Sequence, residues 1–143
     1  MGKMFKPLNV PYMQPVPRPT LPSIPRVVIV DADRRVLQSL SDLLGVSGEV
    51  DVVGRATDVR AALEEIEREH PDVVLVDPRL PDVDAGMALI GGMARAWPSI
   101  RVVVTGWGGD ADARPVLNGS TRYVNKGGSP EDFVDAIVAG CRD

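Results

Sequence analysis

Five short runs rich in Val and Ile recur along the chain at near-constant intervals, and this repeat restricts the fold more than any other feature. They read as strands at Val27–Asp31, Val50–Arg55, Val73–Asp77, Arg101–Thr105 and Arg122–Asn125, with starts 23, 23, 28 and 21 residues apart. Each interval has room for one strand and one crossover helix. Near-continuous apolar runs such as Val27-Val28-Ile29-Val30 and Val73-Val74-Leu75-Val76 suit strands buried on both faces. The pattern therefore predicts one α/β domain built on a five-stranded parallel sheet with helices on both faces. These apolar runs stop after four residues, far short of the roughly 20 that span a bilayer, so no membrane insertion is expected.

The intervening segments carry helical periodicity. One helix is predicted from Asp33 to about Gly45, with Val36, Leu37, Leu40, Leu43 and Leu44 inward. Others are predicted at Val59–Glu69, at Gly86–Trp97 before Pro98, and at Pro130–Gly140 behind a Ser129 cap. Asp110–Leu117, holding Pro115 between glycines, predicts a single turn or a loop. Seven of the 13 prolines fall within residues 1–25. That stretch reads as an extended tail, or a docking segment through Pro17-Arg18-Pro19, ahead of a domain at 26–143.

Charge narrows the range of partners. Of 16 basic residues, Lys3, Lys6 and Arg18 lie in the tail, which has no acid, so all 20 acidic residues belong to the domain. An acidic body argues against direct nucleic-acid binding and suits a cation site. The single Cys141 excludes an internal disulfide, and with His70 it is too little for a structural zinc site. The prolines leave no continuous apolar stretch for a secretory signal, and a cytoplasmic location is expected.

In open parallel sheets ligands bind at the carboxyl ends of the strands. The first run ends in Asp31-Ala32-Asp33, the third in Asp77-Pro78, the fourth in Thr105-Gly106, and the fifth is followed by Lys126. Two acids, a hydroxyl and an ammonium thus meet on one rim. Closely placed carboxylates suit Mg²⁺, which takes one or two of them together with water and phosphate oxygens. Asp77 can accept a phosphoryl group as an acyl phosphate, with Lys126 and Thr105 balancing charge on its oxygens.

Together these residues resemble a response-regulator receiver domain of two-component signalling. The resemblance covers about residues 26–143. It rests on the apolar strand into Asp31, on Val73-Val74-Leu75-Val76-Asp77-Pro78-Arg79-Leu80-Pro81, on the strand into Thr105-Gly106, and on Tyr123-Val124-Asn125-Lys126. It implies a flavodoxin-like fold, Asp77 as phosphoacceptor, and Asp31, Asp77 and the backbone carbonyl of Arg79 as Mg²⁺ ligands. Thr105 and Tyr123 become the switch pair, and Arg79 and Trp107 the rate-modulating positions beside the phosphoryl group. The implied partners are a histidine kinase or phosphotransfer protein, and a downstream protein or second copy at the face formed by Asp110–Leu117, Tyr123 and Asp132–Cys141. Gly127-Gly128-Ser129-Pro130-Glu131-Asp132 resembles the subgroup whose receivers precede a helix-turn-helix output domain, although the chain itself reads as a stand-alone receiver.

Some positions depart from the family pattern. Ala32 stands where the family has a second acid that ligates the metal, with Asp33 as a candidate substitute or simply a helix N-cap. Gly127 replaces a common Pro, and Ala85 replaces a usual Gly, with Gly86 one place later. The resemblance thus allows two functions: a phosphoacceptor, or a degenerate receiver acting as a phosphorylation-independent interaction module. A small metal-dependent phosphatase ranks last, for want of any substrate-holding insertion. His70 reads as a helix-end dipole partner and Asp82 and Asp84 as solvated loop acids, and Gly106-Trp107-Gly108-Gly109 lacks the spacing of a nucleotide-binding loop.

Overall fold

The computed structural model describes residues 24–107 and 121–142. The described elements are β1 (Arg26–Val30), α1 (Arg34–Ser47), β2 (Asp51–Ala56), α2 (Val59–Glu69), β3 (Val73–Val76), α3 (Val83–Ala96), β4 (Arg101–Gly106), β5 (Thr121–Asn125) and α4 (Pro130–Arg142). All strands pair in parallel in the order β2-β1-β3-β4-β5, which is the flavodoxin-like arrangement. Asp110–Leu117 and residues 1–23 of the predicted tail lie outside the described residues.

Strand alternation divides the core into two layers. Val27, Ile29, Val73, Leu75 and Val103 pack with Leu37, Leu40 and Leu44 of α1 and Phe133, Val134 and Ile137 of α4. Val28, Val30, Val74, Val76, Val102 and Val104 pack with Ala62 and Ile66 of α2 and Leu89, Ile90 and Met93 of α3. Because both faces are covered, the inner strands β1, β3 and β4 are buried at nearly every position, which makes their pattern visible as apolar runs. Among the described residues no helix is long and apolar enough to cross a membrane.

Helix ends differ from expectation in three places, the simplest being α4, which runs past Gly140 to Arg142. Helix α1 continues past Gly45 to Ser47 and closes at Gly48, whose φ of 72° is left-handed and whose N–H reaches the Gly45 carbonyl. A residue without Cβ takes that conformation at little cost, so Gly48 is the stop. Helix α3 begins at Val83, three residues before the expected start, because the Asp82 carboxylate accepts from Ala85 N–H at 2.9 Å. Asp82 is therefore an N-cap, and Asp84 sits in the first turn, where negative charge suits the helix dipole. Helix α2 ends as expected, with His70 at the C-cap, while Arg26 Nη1 donates to the Glu69 and His70 carbonyls at 2.5 and 3.2 Å.

Candidate functional site: a lysine between two carboxylates

Backbone hydrogen bonds carry the chain out of the sheet so that the polar residues meet. Asp31 N–H donates to the Ala56 carbonyl at 3.0 Å, Asp77 N–H to that of Val30 at 3.0 Å, and Lys126 N–H to that of Gly106 at 2.8 Å. The first residues past β1 and β3 are thus held like continuations of the strands. Thr105, one residue beyond the β3–β4 pair Val76↔Val104, lies on the strand beside Asp77 and is buried. Tyr123 is half-buried opposite Val104.

The two carboxylates are oriented in the same way. Oδ1 of Asp31 accepts the N–H of Asp33, and Oδ1 of Asp77 accepts the N–H of Arg79, both at 2.9 Å. These turns hold each side chain by one oxygen and leave both Oδ2 atoms facing one cation. Lys126 Nζ lies 2.7 Å from Asp31 Oδ2 and also bonds Asp77 Oδ2. The Lys126 side chain is only 4% exposed and Asp31 2%. Burial lowers the lysine pKa, but the hydrogen bonds that Lys126 donates to Asp31 and Asp77 and the charge of both carboxylates outweigh it and hold the ammonium above its ordinary value.

Two contacts at the site were not legible in the sequence, although both residues were named there. The indole of Trp107 stacks on Lys126, with Nζ 5.7 Å from the ring centroid, within cation–π range. Nothing in the spacing of Trp107 announces that contact. Gly86, noted only as a displaced family glycine, lies so close to Pro78 that a Cβ there would overlap the Pro78 carbonyl group. This clearance seats the start of α3 against the turn that carries Asp77.

Asp33 goes to the helix. Its side chain is exposed, and its Oδ1 accepts from Arg35 N–H at 2.9 Å and Val36 N–H at 3.4 Å as the N-cap of α1. Asp33→Ala is expected to lower the unfolding free energy by about 1 kcal/mol, read from the midpoint of a urea titration; an unchanged midpoint would refute the capping role.

Among the described residues no three His, Cys, Asp or Glu side chains form a group able to hold a metal ion. Asp31 and Asp77 nevertheless fit Mg²⁺ of the kind that takes two carboxylates and completes its shell with water and phosphate oxygens, because Asp31 Oδ2 is buried with no hydrogen-bond partner apart from the Lys126 ion pair.

The sequence matches the response regulator receiver domain family over residues 27–138, and the chain belongs to that family. It is 36% identical over 103 residues to the DNA-binding transcriptional activator DevR/DosR of Mycobacterium tuberculosis, covering 71% of this chain and 47% of that protein. It is 33% identical over 110 residues to a protein-glutamate methylesterase/protein-glutamine glutaminase of Xanthomonas oryzae pv. oryzae, covering 75% of this chain and 30% of that enzyme. The chain thus spans less than half the length of these curated relatives. Among solved structures it is similar to the signal receiver domain of NarL from Mycobacterium tuberculosis, with a TM-score of 0.71, 28% identity, and coverage of 85% of this chain and 98% of that one. The isolated receiver domain of RcsB from Salmonella enterica serovar Typhimurium, determined with the phosphomimetic BeF₃⁻, gives 0.71 at 26% identity, covering 82% and 88%.

Proposed function

We propose that this receiver is a phosphoacceptor, in which Asp77 takes a phosphoryl group from a histidine kinase or phosphotransfer protein in the cytoplasm and the domain signals through protein contacts. The observation that carries this reading is the convergence of Asp31, Asp77 and Lys126 at the carboxyl edge of the sheet, beside Thr105. A carboxylate oxygen of Asp77 forms the new bond to phosphorus as the phosphorus–nitrogen bond of a phosphohistidine breaks, and the departing imidazole keeps the bonding pair and takes a proton. Lys126 Nζ moves with the charge from the Asp77 carboxylate to a phosphoryl oxygen. The Thr105 hydroxyl is the natural donor to a second oxygen, and Tyr123 follows it as the other half of the switch. Asp31, Asp77 and the Arg79 carbonyl would hold Mg²⁺, which when bound would supply charge neutralisation for the phosphoryl oxygens. Arg79 and Trp107 border the site and restrict the water that would hydrolyse the acyl phosphate.

Intact-mass analysis after incubation with a small-molecule phosphodonor and Mg²⁺ tests the reading. One phosphoryl group is expected on the wild type and none on Asp77→Ala. A second reading, a phosphorylation-independent interaction module, draws on Ala32. A folded wild type that gains no mass at any Mg²⁺ concentration would favour that module and refute the phosphoacceptor.

A further inference from the structure

The charge at this site does not balance as it would with a second acid after β1. Ala32 contributes none, so the buried cluster consists of two carboxylates and one ammonium, with a single net negative charge. Lys126 Nζ touches the Oδ2 atoms of both Asp31 and Asp77. Its side chain is almost wholly enclosed, and Trp107, itself 57% exposed, lies against it. A divalent cation added alone turns one negative charge into one positive charge beside a trapped ammonium. A divalent cation added with a phosphoryl group on Asp77 does not, because the carboxylate charge is replaced by the two negative charges of the acyl phosphate and the total is zero.

We propose that Lys126 is the resident counter-cation of this receiver and that the site admits Mg²⁺ appreciably only together with a phosphoryl anion. This rests on the phosphoacceptor reading above and deepens it: the missing carboxylate at position 32 makes metal and phosphoryl group mutually dependent. Two substitutions restore the charge by independent routes. Ala32→Asp adds a carboxylate, and Lys126→Gln removes the internal cation. Each leaves two net negative charges, which Mg²⁺ alone can neutralise. One unit charge a few ångström away, at the effective dielectric of a protein site, amounts to at least ~10-fold in affinity.

The test is a titration with MgCl₂, with and without beryllium fluoride as the phosphoryl stand-in. It is followed by Trp107 fluorescence with Trp97→Phe as background, and by calorimetry on the unaltered chain. The expected result is a wild-type Mg²⁺ midpoint at least ~10-fold lower with beryllium fluoride than without. In Ala32→Asp and Lys126→Gln, Mg²⁺ alone should bind at least ~10-fold more tightly than to the wild type. Equal wild-type midpoints with and without beryllium fluoride, or no tightening in either variant, would overturn the inference while leaving Asp77 as phosphoacceptor. If only Ala32→Asp responds to Mg²⁺ with beryllium fluoride, the wild-type site is closed to the cation and the inference also fails. Calorimetric silence of the unaltered chain under all conditions, with no phosphoryl group gained by mass, would overturn the inference and the phosphoacceptor reading together.

Discussion

Gly86→Ala is expected to destabilise the protein by about 3 kcal/mol and to slow phosphoryl addition to Asp77 at least ~10-fold. An added Cβ at Gly86 would overlap the carbonyl oxygen and carbon of Pro78. Backbone on both sides makes the clash hard to relieve, because no flexible side chain can swing away. Either α3 lifts from the sheet, exposing part of the layer around Leu89, Ile90 and Met93, or the Pro78 turn moves. Moving the turn displaces Arg79 N–H from Asp77 Oδ1 and re-aims the carboxylate. Gly92→Ala is the control, since nothing lies within 4 Å of a Cβ there and the residue is inside the same helix. Alanine at that position should stabilise by up to about 1 kcal/mol. Paired urea denaturations decide the matter: if Gly86→Ala and Gly92→Ala shift the midpoint alike, close packing against Pro78 is not what holds α3.

The contrast between those glycines marks where the sequence stops being legible. The inner strands could be read because burial on both faces leaves a run of apolar residues whatever the neighbours are. The rim residues Asp31, Asp77 and Lys126, just past strand ends, and Thr105, at the end of β4's apolar run, could be read from their place along the chain. The end of α1 could not, since Gly45 and Gly48 are chemically equivalent stops and only the left-handed backbone at Gly48 separates them. Asp82 passed for a loop acid because a cap is defined by the N–H it meets, here that of Ala85. The Trp107 stack on Lys126 depends on the paths of two side chains that leave different strands, and neither path is written in local spacing. Ala32 is the reverse case: its identity was plain, but its consequence depended on seeing one lysine shared by both remaining carboxylates.

That sharing sets the other large effect. Lys126→Met should destabilise the protein by about 3 kcal/mol at neutral pH, because it leaves the buried Asp31 and Asp77 carboxylates facing each other without their cation. Asp31→Asn in the Lys126→Met background should recover most of the loss, since it removes the repulsion, whereas Asp31→Asn alone should show a much smaller change. A non-additive cycle of this kind is the signature of direct coupling. The pH dependence follows from the lysine. Its folded-state pKa is raised above the ordinary 10.5, so the folded protein holds this proton more tightly than the unfolded chain. The contribution is therefore fully present below the unfolded-state value and is lost as the pH rises through the folded-state value. The stability difference between wild type and Lys126→Met should stay level from pH 7 to about 9 and shrink only in more alkaline solution. A difference that disappears between pH 7 and 9 would mean that the ammonium is not held by this pair. An additive double-mutant cycle would mean that Asp31 and Lys126 do not act on each other, and the shared counter-cation would go with them.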